Sequence, residues 1–350
     1  MNPVRAVAAP ARDVAVAPRA RAHRNPGIEA GRAVAIAAVV VLHAVTPTPH
    51  AFGVHPSGVV DQLCRWAVPF FFVTAGYALG RRALAPGPAA AAVLARLAPV
   101  FLAWSLVYLL LSAEGLGQLA RPHAAYRWLA TGGPGWHLWF LPSLALCLAL
   151  LLAMRAAGLA PRTMLAIALG TYALGLALGP YHPLLAAHDA ALPDGQMPIL
   201  DGRGGPFPLA FVVVGYWLAA SGADIPARVG PALLLAGGGL HLAEAFCLDA
   251  GGWTPFVRND LLVGTLAFGT GAFLVLARAP AGPVVRAVGG LGRYSLGVYA
   301  FHVLVLVVLR RLLHPTGLAE SLGLAAGVLA VSTTAVVALA RLRVLRPLLT

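Results

Sequence analysis

The stretch Glu29-Ala-Gly-Arg-Ala-Val-Ala-Ile-Ala-Ala-Val-Val-Val-Leu-His-Ala44 decides how the rest of the chain is interpreted. Between Arg32 and His43 every residue is small or aliphatic, which predicts a membrane-spanning helix. Their spacing corresponds to about 1100° on an α-helix, so both side chains share one face, about 16 Å apart along the axis. Glu29 precedes Arg32 by one turn and falls near the same face.

This pattern has two interpretations. An arginine within the hydrocarbon is costly, so an Arg and a His on one face of a membrane helix indicate a functional site. Alternatively, Arg32 extends to the lipid headgroups and His43 makes a polar contact in the protein core. The spacing alone leaves both interpretations open.

The composition indicates the class of protein. The chain is 59% hydrophobic and 11% charged, with a mean hydropathy of +0.81, so we expect an all-α, polytopic membrane protein. The net charge of +13 does not indicate nucleic-acid binding, because the arginines are dispersed among apolar stretches without a recognisable binding module. The three cysteines are far apart, which predicts neither a disulfide framework nor a zinc site.

Apolar stretches of about 20 residues, the length that a bilayer core requires, recur along the chain. We expect about ten spans, of which the sixth is the shortest, at residues 27–46, 60–80, 90–112, 136–154, 163–180, 207–221, 229–248, 257–277, 294–313 and 317–340. Residues 1–25 are interpreted as a disordered basic cytoplasmic tail that can lie on anionic lipid. Residues 26–343 form the expected transmembrane domain, and residues 344–350 a short cytoplasmic tail.

The placement of arginines predicts the orientation. With the N-terminus inside and alternating crossings, most arginines fall on the inner side, as the positive-inside rule requires. Both termini are then cytoplasmic, and the protein is a multi-pass protein of the inner, or plasma, membrane. Arg310 and Arg311 fit this topology least and are candidates for lining a polar cavity.

Three further stretches complete a pattern with Arg32 and His43. They are Trp66-Ala-Val-Pro-Phe-Phe-Phe-Val-Thr-Ala-Gly-Tyr77, His137-Leu-Trp-Phe-Leu-Pro142 and Gly292-Arg-Tyr-Ser-Leu-Gly-Val-Tyr-Ala-Phe-His302. In this order the stretches resemble the motifs of the acyltransferase-3 family of integral-membrane acyltransferases. Two positions depart from the family pattern: Ala75 stands where the family usually has Ser, and Ala30-Gly31 replaces a small/Leu pair.

The resemblance implies an O-acyltransferase. Such an enzyme would move an acyl group, expected to be acetyl, from cytoplasmic acyl-CoA to a hydroxyl of a glycan, glycolipid or related acceptor at the outer side, as in polysaccharide O-acetylation. Acyl-CoA would be a co-substrate, and no permanently bound cofactor is expected. An alternative is a proton-coupled transporter with ten helices, although we see no inverted symmetry between halves. A structural scaffold is a poorer interpretation, because buried charges are costly.

The residue types in the first span suit acyl transfer. Imidazole is suited to general-base work near neutral pH, so His43 is the expected base or transient acyl carrier. Guanidinium binds phosphate bidentately, so Arg32 is expected to hold and orient the donor. Arg81 and Arg82 are expected to join Arg32 around the coenzyme A phosphates, unless they are an ordinary positive-inside flank.

The motifs supply further candidates for substrate binding. His137 and Trp139 are expected to contribute to a pocket, whereas Trp136 is interpreted as an interface aromatic. His302 lies near mid-membrane, and the resemblance leaves open whether it is catalytic or architectural.

Two polar pairs at helical spacing are candidates for binding the acceptor. Asp61 and Arg65 are four residues apart, and His241 and Glu244 three, so each pair lies on one helix face. We expect these residues to contact the acceptor at the outer side. The alternative is that they form internal ion pairs or hydrogen bonds.

The longest outer segment, residues 181–206, is rich in polar residues. It contains His182, His188, Asp189, Asp194, Asp201 and Arg203. Their spacing matches no metal-ligand motif, and Pro and Gly interrupt the run. We therefore expect a loop over the mouth of the substrate site, and no metal.

Overall fold

The computed structural model describes residues 25–45, 52–82, 86–113, 115–120, 124–185, 204–222 and 224–350. Residues 1–24 of the predicted basic tail and residues 186–203 of the long segment lie outside this description. The described chain is helical and contains no β-strand. The α-helices are α1 Pro26–Val45, α2 Pro56–Leu63, α3 Ala67–Gly80, α4 Pro86–Leu111, α5 Ala124–Thr131, α6 Phe140–Ala156, α7 Pro161–Leu178, α8 His182–Leu185, α9 Leu209–Ala220, α10 Val229–Ala250, α11 Val263–Ala277, α12 Pro283–Gly292, α13 Ser295–Leu313, α14 Leu318–Leu339 and α15 Arg346–Leu349. Short 3-10 helices lie at Gly115–Ala120, Trp136–Trp139 and Phe256–Arg258.

The membrane spans agree with the apolar pattern of the sequence. Within the described ranges, eight helical segments are long and apolar enough to cross a membrane. Two shorter apolar helices, α9 and α11, lie at the sixth and eighth predicted spans. The prediction of an all-α, polytopic membrane protein is therefore confirmed, with ten as an approximate number of crossings. Beyond the last span, α15 packs against α13 and α4.

The second predicted span is divided into α2 and α3. Between these helices, residues 64–66 form a turn. Pro69 explains the division, because a proline has no N–H to donate to the carbonyl of Arg65, four residues earlier. The helix therefore restarts at Ala67, whose own N–H bonds to the carbonyl of Cys64 at 3.1 Å.

Helix α1, which carries the opening sequence, lies inside the bundle. Asn25 caps its start, since the side-chain oxygen accepts hydrogen bonds from the N–H groups of Gly27 at 2.8 Å and Ile28 at 3.2 Å. The helix packs against α2, α3, α11, α12, α13 and α14. Its residues Ala35, Ile36, Val39 and Val40 contribute to the core. Below, the two ends of α1 are called the Arg32 end and the His43 end.

Helices α3 and α9 pack with their backbones in contact. A Cβ atom on Gly76 would lie 2.0 Å from the carbonyl oxygen of Val212, and one on Gly215 would lie 2.0 Å from that of Val73. Only glycine permits this approach, so α3, which carries the second motif, is held firmly against α9.

Candidate active site

A cavity of about 910 Å³ lies between α1, α3, α4, α6 and α13. At the Arg32 end it is lined by basic residues, and towards the His43 end it is apolar. Val39, Val68, Phe71 and Phe140 belong to the apolar part, and Tyr299 also lines the cavity. A cavity with one charged and one apolar part suits an elongated ligand with one anionic end.

Among the described lining residues, four arginines lie around the charged part of the cavity: Arg32, Arg81, Arg82 and Arg96. These four residues are called the arginine end of the cavity, or the arginine end. Glu29 also lines the cavity and forms an ion pair with Arg32 at 3.4 Å. The excess of guanidinium groups makes this part attractive to phosphate.

The structure thus brings together Arg32, Arg81 and Arg82, as the sequence analysis expected, and adds Arg96. From the sequence, Arg96 is only one of the arginines that the predicted topology places on the inner side. The signal that could have identified Arg96 as a cavity residue was its position, because it lies well inside α4 rather than at the end of the helix. A donor-binding role for these arginines stays a prediction.

Within the part of the chain that the structure describes, three histidine rings lie side by side. His43 of α1 and His302 of α13 are stacked with ring centroids 5.5 Å apart, and the ring of His137 lies edge-on to His302 at 5.3 Å. His137 and His302 are fully buried, whereas His43 is half-buried. These residues are called the histidine cluster. The motifs suggested each residue separately, and the fold places them in contact.

Tyr299 connects the cavity with the histidine cluster. It lines the cavity, and its ring centroid lies 5.4 Å from that of His137 and 6.2 Å from that of His302. Its hydroxyl donates a hydrogen bond to the carbonyl oxygen of His137. The cluster is therefore separated from the cavity by little more than one aromatic side chain.

The hydrogen bonds of His302 and His137 indicate which nitrogen of each ring carries a proton. Nδ1 of His302 lies 2.6 Å from the carbonyl oxygen of Tyr299, so Nδ1 is the donor and Nε2 retains its lone pair. Nε2 of His137 lies 3.4 Å from the carbonyl oxygen of Ala300, which assigns Nδ1 as the acceptor. Both acceptor nitrogens are buried without a hydrogen-bond partner among the described atoms. Buried ring nitrogens without a hydrogen-bond partner are rare, and such a nitrogen can accept a hydrogen bond from a bound substrate.

Two residues beside His43 were not identified as site residues from the sequence. Trp136, interpreted there as an interface aromatic, is 47% exposed, and its ring meets that of His43 edge-on at 4.7 Å. Arg310 donates hydrogen bonds from Nη2 to the carbonyl oxygens of His43 at 2.9 Å and Ala44 at 2.7 Å. The poor fit of Arg310 to the predicted topology was the only signal of this contact.

Trp139 and the departure at Ala75 both lie near the cavity. The Trp139 ring meets that of Phe140, a lining residue, edge-on at 6.5 Å. Ala75 lines the cavity, so a methyl group occupies the position where the family usually has a hydroxyl. The neighbouring Thr74 also lines the cavity, and its hydroxyl is buried without a partner among the described residues.

His241 belongs to a second polar cluster, in which hydrogen bonds join α2, α10 and α11. Its Nε2 lies 2.9 Å from Oε1 of Gln62, and its Nδ1 lies 2.8 Å from Oγ1 of Thr265. The amide of Gln62 donates to Asp61 at 2.9 Å, and Asp61 also accepts from Arg65 at 2.8 Å. These residues are called the His241 network.

Arg65 and Glu244 are also held by partners inside the protein. Arg65 pairs with Asp260 and donates to the carbonyl oxygen of Val257 at 3.1 Å. Glu244 accepts from the hydroxyl of Tyr181 at 2.5 Å and from the N–H of Gly264 at 2.8 Å. The structure therefore contains the internal contacts that the sequence analysis left as the alternative for Asp61, Arg65, His241 and Glu244. Their role towards an acceptor stays a prediction.

The structure describes His182 of the long segment but not His188, Asp189, Asp194, Asp201 or Arg203. Among the residues that it does describe, no group of three or more His, Cys, Asp or Glu side chains is placed to hold a metal ion.

Comparison with known proteins gives one match. A family model described as an acyltransferase domain matches residues 25–341. No curated protein and no solved structure matches the chain. The matched range contains α1, the arginine end, the histidine cluster and the His241 network.

Proposed function

The chain belongs to the acyltransferase-3 family, and we propose that it moves an acyl group across a membrane. The donor is a cytoplasmic acyl-CoA, with acetyl as the expected acyl group. The acceptor is a hydroxyl of a glycan, glycolipid or related molecule at the opposite side. The observation that supports this proposal is that the arginine end and Tyr299, which contacts the histidine cluster, border one cavity.

The donor enters with its phosphates at the arginine end. Guanidinium groups bind phosphate through paired, charge-assisted hydrogen bonds, and Arg32, Arg81, Arg82 and Arg96 all border that part of the cavity. The pantetheine arm then follows the apolar part. Arg32 and His43 lie about 16 Å apart along α1, a separation comparable in scale to that arm. The thioester thus lies beside Tyr299, the side chain between the cavity and the histidine cluster, while the nucleotide stays at the arginine end.

His43 acts on the acceptor hydroxyl. As base, its imidazole takes the hydroxyl proton while the oxygen bonds to the thioester carbonyl carbon. The carbon–sulfur bond then breaks, and the proton passes from His43 to the sulfur of coenzyme A. His302 and His137 accept hydrogen bonds from the substrates through the ring nitrogens that have no partner among the described residues.

A two-step route uses the same residues. The lone pair of a His43 nitrogen attacks the thioester carbonyl carbon, the carbon–sulfur bond breaks, and the N–H proton of the ring passes to the sulfur of coenzyme A, which leaves as the thiol. The acceptor hydroxyl oxygen then attacks the acyl carbon, the bond from carbon to the ring nitrogen breaks, and the hydroxyl proton restores the N–H of His43. Rapid quenching followed by mass spectrometry distinguishes the two routes, because only the second gives an acylated His43.

Purified protein tests the proposal directly. We expect wild-type protein, given acetyl-CoA and a lipid and glycan extract of its own membranes, to release free coenzyme A and to label the extract. His43→Ala should do neither, while His55→Ala, an exposed histidine that does not line the cavity, should do both. Absence of release by folded wild-type protein that binds acetyl-CoA would contradict the proposal. Accumulation of label inside proteoliposomes without thiol release would favour the transporter.

The proposed direction of acyl transfer, from the cytoplasmic to the outer side, can be tested separately. With both termini cytoplasmic, reporter fusions after Thr350 and within residues 181–206 should report opposite sides of the membrane. Reporters on one shared side would contradict this orientation and leave the chemistry to be judged separately.

A further inference from the structure

Arg310 connects the two helices that carry His43 and His302. It lies near the end of α13, two turns after His302, and its Nη2 donates hydrogen bonds to the carbonyl oxygens of His43 and Ala44. Side chains on a helix lean towards its N-terminus, so Arg310 extends back along α13 towards the level of His302. Helix α13 therefore contacts His43 at its ring, through His302, and at its backbone, through Arg310.

The two carbonyl groups are ones that α1 cannot satisfy itself. The helix ends at Val45, and the last four carbonyl groups of an α-helix lack a partner N–H within the helix. A cation at this end also interacts favourably with the helix dipole. Arg310 supplies both the donor and the charge from a neighbouring helix, so the contact fixes the last turn of α1, in which His43 lies.

We propose that Arg310 is a positioning residue, which holds the end of α1 so that the His43 ring stays against His302 and Trp136 during acyl transfer. This proposal rests on the proposed function, because it assumes that His43 is the reacting group. Arg310 is remote from the arginine end and does not line the cavity, so its loss leaves the donor site intact. The expected signature is a lower turnover at an unchanged apparent affinity for the donor.

Arg311 provides a matched control. It is adjacent in sequence, carries the same charge at the same helix terminus and is also exposed. Both hydrogen bonds to α1 come from Arg310. An effect of charge at the end of α13 would appear in both variants, whereas an effect of holding α1 is specific to Arg310.

Kinetics of the purified variants test the positioning role. We expect Arg310→Ala to lower kcat by about 10–100-fold, the scale of a small misplacement of a reacting group, with KM for acetyl-CoA within about twofold of wild type. Arg310→Lys should recover part of the loss, because its ammonium can donate to the same carbonyls. Arg311→Ala should resemble wild type. A normal kcat for Arg310→Ala, an equal loss in Arg311→Ala, or a loss confined to KM would overturn the proposal.

Carbethoxylation of histidines gives a second measurement that needs no turnover. The rate of modification of His43 by diethyl pyrocarbonate, located by mass spectrometry, should rise several-fold in Arg310→Ala and stay at the wild-type rate in Arg311→Ala. An unchanged rate in Arg310→Ala protein that still binds acetyl-CoA would overturn the positioning role. If wild-type protein transfers no acyl group, the proposed function fails, while this modification experiment still reports whether Arg310 holds His43.

Discussion

The histidine cluster and the His241 network place the same kind of side chain in the same kind of apolar bundle. In the His241 network both ring nitrogens of the histidine have partners within the protein. In the histidine cluster, His137 and His302 each have one buried nitrogen without a partner among the described residues. A fully satisfied polar network contributes rigidity and a unique arrangement of helices, whereas an unsatisfied buried acceptor is available to a ligand.

The hydrogen bonds of the His241 network also run in one direction, from donor to acceptor. The N–H of Leu262 donates to Oγ1 of Thr265 at 2.7 Å, and that hydroxyl in turn donates to Nδ1 of His241. Nε2 of His241 then donates to Gln62, and the amide of Gln62 donates to Asp61. Every donor thus points towards the carboxylate of Asp61, and a neutral His241 completes the series. Buried histidines are therefore better distinguished by their hydrogen-bond partners than by their depth in the bundle.

Substitution of His43 should have the largest effect on activity and should thereby distinguish the histidine cluster from the His241 network. His43→Ala should lower the transfer rate at saturating donor by about 10²–10⁴-fold, the usual loss on removing a positioned base. The measurement is the initial rate against acyl-CoA concentration, with thermal unfolding recorded on the same protein. Near-normal turnover by folded His43→Ala protein would show that the histidine cluster is structural, and the contrast with the His241 network would be lost.

Removal of a charge at the other end of the cavity should change a different kinetic constant. Arg32→Ala should raise KM for acyl-CoA by about 10–100-fold with a smaller change in kcat, because a hydrogen bond between charged groups contributes about 1.5–3 kcal/mol. Arg162→Ala serves as control, since Arg162 is exposed and does not line the cavity. An Arg32 variant that loses kcat at an unchanged KM would place Arg32 with the chemistry rather than with donor binding.

His302→Ala tests whether the unsatisfied nitrogen is used. We expect kcat to fall by about tenfold, the equivalent of one neutral hydrogen bond to substrate. We also expect a loss of stability, because the fully buried ring is replaced by a cavity and its Nδ1 hydrogen bond to the carbonyl oxygen of Tyr299 is lost, so the rate is measured on the protein that remains folded. Thermal unfolding in matched lipid measures the stability. A large drop in stability with a normal rate would identify His302 as architectural.

The smallest effect on rate is expected in the His241 network. His241→Ala leaves Gln62 and Thr265 without their partner, so it should cost about 1–3 kcal/mol of unfolding free energy, with the transfer rate of the remaining folded protein within a few-fold of wild type. Chemical unfolding and kinetics on one preparation measure both. Weaker use of the acceptor without a loss of stability would instead support the acceptor-binding role suggested by the sequence.

Local features of the chain were predictable from the sequence. The length and apolar character of α1 follow from a run of small and aliphatic residues, and the common face of Arg32 and His43 follows from helix geometry. The grouping of Arg32 with Arg81 and Arg82 at one end of the bundle also follows, because these residues border spans that were placed on the same side. Such features depend on neighbours a few residues away or on the alternation of spans.

Contacts between distant parts of the chain were not predictable in the same way. The stacking of His43 on His302 joins helices separated by more than 200 residues, and no periodicity encodes which faces meet. The partners of His241 and Glu244 were not predictable either. The spacing of these two residues is compatible with binding a ligand or with contacts inside the protein. The break before α3 could have been read from Pro69, a local signal that the predicted continuous span overlooked.

The central position of α1 has a consequence for synthesis of the protein. This helix is synthesised before its partners α12, α13 and α14, which follow more than 200 residues later, and ribosomes add about 5–20 residues per second. About tens of seconds therefore pass between the synthesis of α1, which has an arginine in its first turns, and the synthesis of these packing partners. Glu29 is available at once, since its ion pair with Arg32 lies within a single turn. An ion pair between residues one turn apart needs no other helix, so the acid that precedes the arginine can neutralise it before the rest of the bundle is made.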